Sequence, residues 1–229
     1  MLTVVIPVYN EERALPSLLT QVDDWGDAVE VVFSDGGSTD GTLELLEGHI
    51  VVRGPKGRGG QCNRGAARAT GDALLFLHAD VRVEPQAFAQ IEQALIGGMH
   101  WGCLTLRWDI ATPLYRFGAW MSNLRAGLGA TPFGDQGMFF DHSFFAEVGG
   151  FLDIPIMEDY ELSRRLKARG IRPCQLSACV EASARRFEAG GPLRTALAMG
   201  RLRRWYRRGM APEQLAVLYR DVRGGGRHG

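Results

Sequence analysis

Two textures alternate along the chain. Short continuous apolar runs rich in β-branched residues are each followed by a stretch in which leucines and other apolar residues recur every three or four positions. The first texture fits strands buried on both faces of a parallel sheet, and the second fits amphipathic helices. Leu2–Val8 reads as a first strand that leaves the sheet near Pro7, and the helix opened by Asn10, Glu11 and Glu12 carries Leu15, Leu18, Leu19 and Val22 on one face. Val29–Ser34 is a second strand, with Leu43, Leu45 and Leu46 beginning the next helix. Ile50–Val52 is a short third strand, followed by a loop to Gly65 and a short helix from Ala66 to Ala69. The run Asp72–Asp80 reads as a fourth strand that delivers His78, Ala79 and Asp80 at its end, before a helix from Pro85 that turns Phe88, Ile91, Ala94 and Leu95 inward. Strands alternating with helices predict an α/β domain.

Beyond Gly97 the pattern changes. Gly102–Trp108 alternates loosely, like a strand with one exposed face. Leu114, Phe117, Met121, Leu124 and Leu128 fall at helical spacing, and the stripe is expected to face the core; the flanking Trp101, Trp108 and Trp120 supply the competing reading of a lipid- or acceptor-facing helix. Asp135 and Gln136 precede an apolar strand through Phe140. Glu158 and Asp159 open a helix that ends near Gly170, and Gln175–Val180 is a last strand. Pro192–Tyr206 reads as a basic helix with Leu193, Leu197, Met199 and Leu202 among arginines, and Gly224–Gly229 as a disordered tail.

Composition narrows the function classes. With 229 residues and 45% hydrophobic content the chain can bury one sizeable core. Lys plus Arg equals Asp plus Glu at 26 each, so no overall field favours nucleic acid. The balance is uneven, because from Glu181 onward eleven arginines face only Glu181, Glu188, Glu213 and Asp221. A basic helix there is suited to peripheral contact with anionic membrane or to covering a site mouth. Cys62, Cys103, Cys174 and Cys179 have no metal-ligand spacing and read as idle thiols of a reducing cytosol. No basic leader opens the sequence and no apolar run approaches the ~18 residues of a membrane span, so a cytoplasmic protein is expected, membrane-associated at most on the cytoplasmic face.

The chemistry gathers at strand ends. In open α/β sheets ligands lie outside the carboxyl edge, where Asp80 could meet a metal ion or a phosphate, although an acid there also serves as a turn cap. Asp35, followed by Gly36 and Gly37, suits a nucleoside pocket as well as an ordinary tight turn. The loop with Lys56, Arg58 and Asn63 lacks both the Walker and the dinucleotide fingerprints, yet its cations before a helix make an anion site.

Three segments in order, Val5-Ile6-Pro7-Val8-Tyr9-Asn10-Glu11-Glu12, Ser34-Asp35-Gly36-Gly37-Ser38-Thr39-Asp40, and the Gly-Arg-Gly loop leading to Leu77-His78-Ala79-Asp80, resemble the nucleotide-sugar half of the family 2, GT-A fold glycosyltransferases. The likeness covers roughly residues 2–170. It implies a Rossmann-like, mixed and mostly parallel sheet flanked by helices, with a C-terminal helical extension. Residues 1–180 would be the transferase domain, divided into a nucleotide half 1–97 and an acceptor half 98–180, and 181–229 the basic extension. The resemblance implies that Asp35 contacts base or ribose, that Pro7, Tyr9, Asn10 and Glu11 line the nucleoside pocket, and that Asp80 is the last acid of an Asp-x-Asp metal motif. His78 stands where many members carry the first Asp. Gly36, Lys56, Arg58, Asn63, His78, Ala79, Asp135 and Gln136 complete the expected nucleotide-sugar set, UDP-type donors being favoured. Glu158 and Asp159 resemble the family's catalytic Glu-Asp pair, and Arg201-Leu202-Arg203-Arg204-Trp205 a Gln-x-x-Arg-Trp pattern with Arg in place of Gln.

The expected activity is metal-assisted transfer of a sugar from a nucleoside diphosphate to an acceptor hydroxyl. A divalent cation, Mn²⁺ or Mg²⁺, would sit on Asp80, and Lys56 or Arg58 would assist the leaving diphosphate. Asp159 would be the base, with Glu158 orienting or replacing it. One base and no enzyme nucleophile imply inversion, by analogy with inverting glycosidases. Two rivals stand beside this: a sugar-phosphate nucleotidyltransferase, which wants a basic glycine-rich signature after the first strand, and an inactive nucleotide-binding or membrane-recruitment module.

Overall fold

The computed structural model describes residues 1–184 and 191–223, so Glu188 and the expected tail 224–229 lie outside the described residues. Eight strands form one sheet: β1 Leu2–Val8, β2 Val29–Asp35, β3 Ile50–Arg53, β4 Ala73–Phe76, β5 Val81–Val83, β6 Trp101–Trp108, β7 Met138–Asp141 and β8 Cys174–Ala182. Their order is β3-β2-β1-β4-β7-β6-β8-β5. The left half is parallel, with Val8 opposite Asp35 and Asp35 opposite Arg53, so three strands end on one line. β7 then runs antiparallel to both β4 and β6, β6 pairs parallel with β8, and β5 closes the far edge antiparallel to β8. The sheet is therefore mixed and mostly parallel, as the resemblance implied.

The connection from β4 to β5 fixes its shape. In a flat sheet these strands would lie about 19 Å apart, four spacings of about 4.8 Å. Only residues 77–80 join them, with a reach of about 17 Å when fully extended, and the segment is not extended, since Val81 N–H bonds back to His78 O at 3.4 Å. The right half must curl toward β4. At the free edge, Gln21 of α1 (Leu15–Trp25) accepts from Val83 N–H at 2.7 Å and donates to Val81 O at 3.3 Å, so β5 offers no open edge there.

Helices cover both faces. On one, α1 and α4 (Gln86–Ile96) bury Leu15, Leu18, Trp25, Phe88 and Ile91 against Val4, Ile6, Phe33 and Leu75. On the other, α3 (Arg58–Arg68), α6 (His142–Glu147) and α7 (Glu158–Ala168) enclose an aromatic cluster of Phe76, Phe140, Phe145 and Phe151 with ring centroids 5.0–6.3 Å apart. Fully burying side chains of this kind contributes about 1.5–3 kcal/mol each. A four-residue helix α2 (Thr42–Leu45) follows β2. The C-terminal helices α8 (Pro192–Arg207) and α9 (Pro212–Arg223) pack Leu202, Leu215 and Ala216 onto Ile156, Met157 and Tyr160 at the start of α7.

Four sequence expectations are corrected. The fourth strand ends at Phe76, so His78–Asp80 form a connector rather than the end of β4, and Val81–Val83 are a strand of their own. The basic loop is shorter than expected because α3 starts at Arg58. Its glycines, poor helix formers in isolation, are required by packing: a Cβ on Gly65 would lie 2.2 Å from Val5 Cγ1. β6 is interior through Leu106, without an exposed face over that span. Where pairing with β7 stops at Cys103, Asn123 takes the place of a neighbouring strand, accepting from Leu106 N–H at 2.9 Å and donating to Leu106 O at 3.0 Å. Last, the apolar stripe on α5 (Pro113–Gly127) faces outward: Tyr115, Ala119 and Ala126 are buried, while Phe117, Trp120 and Met121 are 58%, 56% and 46% exposed. Helical spacing revealed a stripe, but small residues and Asn123 on the opposite side let that side approach β6.

Candidate active site

A cleft of about 670 Å³ opens over the carboxyl ends of β1 and β4. Pro7, Tyr9, Glu11, Lys56, Arg58, His78, Ala79, Asp80 and Asp159 line it, so nine of the residues singled out in the sequence converge on one wall. Its far side comes from the C-terminal helices through Met199, Ala216 and Tyr219.

Asp159 sits in the first turn of α7. Its Oδ2 accepts from the Gly134 N–H at 2.8 Å, and Oδ1 from its own helix at Tyr160 N–H, 2.6 Å. Met157, the residue before the helix, is held at φ 73°, an uncommon conformation for a side-chain-bearing residue, by its burial beneath α8 and α9. Gly134 is the spacer of the site: a Cβ there would stand 2.9 Å from His78 Nε2 and 3.3 Å from Asp159 Oδ2.

Glu158, next to the acid, has a different task. Its buried carboxylate pairs with Arg58 from the first turn of α3. Burial pushes the Glu158 carboxyl upward, with the Arg58 charge pulling the other way. For Arg58, burial works to lower the pKa, but Glu158 and Asp159 outweigh it and the guanidinium is held firmly charged. Arg58 also reaches His78, Nη1 to Nε2 3.4 Å. Lys56 lies with its ammonium 3.6 Å from the Tyr9 ring centroid.

Other candidates lie off the cleft wall. Asp35 is buried, its carboxylate accepting from Gly37 N–H at 2.9 Å and Ser38 N–H at 3.1 Å, which closes the turn after β2. Asn10 links two loops, its N–H donating to Ser38 Oγ and its Oδ1 accepting from Thr39 N–H, both at 2.9 Å. Asn63 clamps the backbone of Phe151 at 2.7 and 3.0 Å. Gln136 is buried and accepts from Arg125 at 3.0 Å. Asp135 belongs to a neighbouring groove beside Arg125; burial raises its pKa, partly offset by that arginine. Gly36 is packed under the Gln61 amide, 3.1 Å from where a Cβ would be.

Gln61 went unnoticed in the sequence. Its buried amide donates to Val8 O and Ser34 O, both at 2.8 Å, and accepts from Gly57 N–H at 3.2 Å, which ties the ends of β1 and β2 to the start of α3. The available signal was an amide beside Cys62, Gly65 and Ala66 on the buried side of a helix.

Among the described residues no three His, Cys, Asp or Glu side chains gather as a metal cage. Asp80 offers one carboxylate, with the His78 imidazole two residues before it in the connector. Such a set fits a cation that takes most of its ligands from water and phosphate oxygens rather than a resident metal, and an imidazole suits a transition ion better than Mg²⁺.

Comparison with known proteins agrees with this fold. Residues 3–104 match the family model for glycosyl transferase family 2. Over 112 residues, 43% of this chain and 34% of the relative, the sequence is 36% identical to the undecaprenyl-phosphate 4-deoxy-4-formamido-L-arabinose transferase of Aeromonas hydrophila subsp. hydrophila. The chain spans about a third of the length of the curated relatives it matches. The mannosyltransferase PcManGT from Pyrobaculum calidifontis, solved with GDP-Man and Mn²⁺, superposes at TM-score 0.65 over 96% of this chain and 68% of its own, with 20% identity. The glucosyl-3-phosphoglycerate synthase of Mycobacterium tuberculosis, solved with Mn²⁺, UDP and glucosyl-3-phosphoglycerate, superposes at 0.61 over 100% and 82%, with 18% identity. At these identities the likeness speaks to the fold. Among the described residues no helix is long and apolar enough to cross a membrane. The segment 3–104 is thus similar to glycosyl transferase family 2, and the curled mixed sheet is the GT-A fold of the structural relatives.

Proposed function

We propose that this protein is an inverting glycosyltransferase that moves a sugar from a nucleoside diphosphate to an acceptor hydroxyl. The observation that carries the reading is a single cleft in which Asp159, fixed by the Gly134 N–H, shares a wall with Asp80, Lys56 and Arg58 at the carboxyl edge of the parallel strands. UDP and GDP-mannose in the structural relatives support a nucleoside diphosphate as the donor's handle.

In this reading Asp159 accepts the acceptor's hydroxyl proton as the hydroxyl oxygen bonds to the anomeric carbon. The bond from that carbon to the diphosphate breaks, and its electron pair leaves on the diphosphate. Lys56 and Arg58 stabilise the charge that develops there, and Glu158 keeps Arg58 in place. A divalent cation, which Asp80 would help to hold, would supply further stabilisation of the leaving diphosphate's charge; Mn²⁺ in both structural relatives supports this. With Glu158 engaged by Arg58, Asp159 acts as a lone base, so attack is direct and the anomeric centre inverts. Residues 1–97 would hold the donor, 98–180 the acceptor, and the basic helices after 181 would close the cleft.

The test is turnover of a panel of UDP-, GDP- and TDP-sugars with Mn²⁺, parent against Asp159→Asn. Loss of a base costs about 10²–10⁴-fold in rate. The variant should keep donor affinity and melting temperature while turnover collapses. Near-parental turnover would remove Asp159 from the role.

A further inference from the structure

Beside the donor cleft lies a second groove, about 520 Å³, between α5 and α8. The two share Phe133 and Met199 as a common wall. The groove's outer part is the outward apolar stripe of α5, with Leu114, Phe117 and Met121, and such a patch on a helix about 22 Å long marks a binding surface. Its inner end is cationic. Arg125 stacks 3.7 Å from the Phe133 ring centroid and Arg203 5.5 Å from it. Arg125 donates to Thr131 O and Gln136 Oε1, whereas Arg203 makes no hydrogen bond or ion pair among the described residues. Burial works against the charge of both arginines and lowers their pKa, so an anion placed beside them would offset that cost. The acid in the groove, Asp135, is pushed by burial toward its neutral form.

We propose that this groove binds an amphiphilic acceptor whose single hydrocarbon chain lies along α5 and whose phosphate head sits against Arg125 and Arg203, at the wall shared with the cleft that holds Asp159. The assignment rests on the transferase reading and names its acceptor class. Charge complementarity favours this occupant. A second copy presenting its own α5 would bury Arg203 without an anion, and a flat bilayer surface would cover Phe117 and Trp120 without entering the groove that leads to Phe133.

The probes are decyl phosphate, decanol and inorganic phosphate, each titrated calorimetrically below micelle formation into the full chain, into Phe117→Asp and into Arg203→Gln, with UDP and GDP titrated in parallel. Decyl phosphate should bind at least about tenfold tighter than decanol, equivalent to about 1.4 kcal/mol, and inorganic phosphate not measurably. Each variant should lose about tenfold or more for decyl phosphate and keep its nucleotide affinity and melting curve. Equal binding of phosphate and alcohol, binding of inorganic phosphate that matches decyl phosphate, or variants that bind like the parent would overturn the proposal. A parent dimer that Phe117→Asp dissociates without changing decyl phosphate binding would give the surface to a second copy instead. Absence of nucleotide binding with the decyl phosphate pattern intact would sink the transferase reading and keep the groove.

Discussion

Replacing Gly134 by alanine tests the geometry of the site with one carbon atom. Gly134 does not occupy the left-handed region, so its backbone accepts alanine, and the substitution can even stabilise by about 0.4–1 kcal/mol through the unfolded chain. The added Cβ would lie 2.9 Å from His78 Nε2 and 3.3 Å from Asp159 Oδ2. Ordinary contacts start near 3.5 Å, so His78 must retreat by about half an ångström and the carboxylate by less. Displacements approaching 1 Å can cost about 10²-fold in rate, so a loss of about 10- to 100-fold is expected. Gly65→Ala is the contrast, because its Cβ would meet Val5 Cγ1 at 2.2 Å in the core. Overpacking there should cost about 1–3 kcal/mol, a Tm lower by about 2–4 °C per kcal/mol for a chain of this size. Initial rates at saturating donor and thermal melts on both variants separate the effects. A Gly134→Ala variant with parental turnover, or one that loses stability instead of rate, refutes the placement of His78 and Asp159 as working groups.

Glu158→Gln removes the partner of Arg58; because Arg58 is 38% exposed, a loss of about 1–3 kcal/mol is expected rather than the larger cost of a sealed pair, and an unchanged melt would count against the pairing. Asp135 has its pKa raised by burial above the ordinary 3.8, so the folded chain keeps a proton there that the unfolded chain has released, and stability falls as pH rises above about 4 through the raised value. Asp135→Asn should flatten that fall and melt higher than the parent at pH 7; melting curves from pH 4 to 7 showing the parental slope would contradict it. Asp80→Ala and excess chelator should each suppress turnover of the parent's donor, and full activity in either would remove the cation from the reaction.

The βα repeat was legible because strands buried on both faces leave unbroken apolar runs that compete poorly with any other reading. The strand-end positions of Asp35 and the convergence of Tyr9, Lys56, Arg58, Asp80 and Asp159 followed from that repeat and from motif order. What periodicity could not supply was direction. The α5 stripe shows the same spacing whether it faces core or solvent, and the decision lay in Asn123 replacing a strand beside Leu106. The glycines around Arg58 look like loop until Val5 requires one of them inside a helix. Gln61 was invisible because its partners are carbonyls of Val8 and Ser34, which every residue possesses. Glu158 and Asp159 are adjacent and alike in sequence; Arg58, 100 residues before Glu158, and the Gly134 N–H on Asp159 distinguish them.

The connector from Phe76 to Val81 is a short, turned chord across a curved sheet. A surface loop of free length would have to be stilled by its ligand, at about 1–2 kcal/mol of backbone entropy per residue. Here the closure of the sheet has already ordered His78, Ala79 and Asp80, so the donor proposed above would meet them in position. The same shortness makes the length of this segment a parameter of shape: one residue more would permit a looser curl between β4 and β5, and one fewer would draw β5 away from Gln21 of α1. The spacing between Phe76 and Val81 is therefore set by the radius of the sheet as much as by the chemistry of the residues it carries.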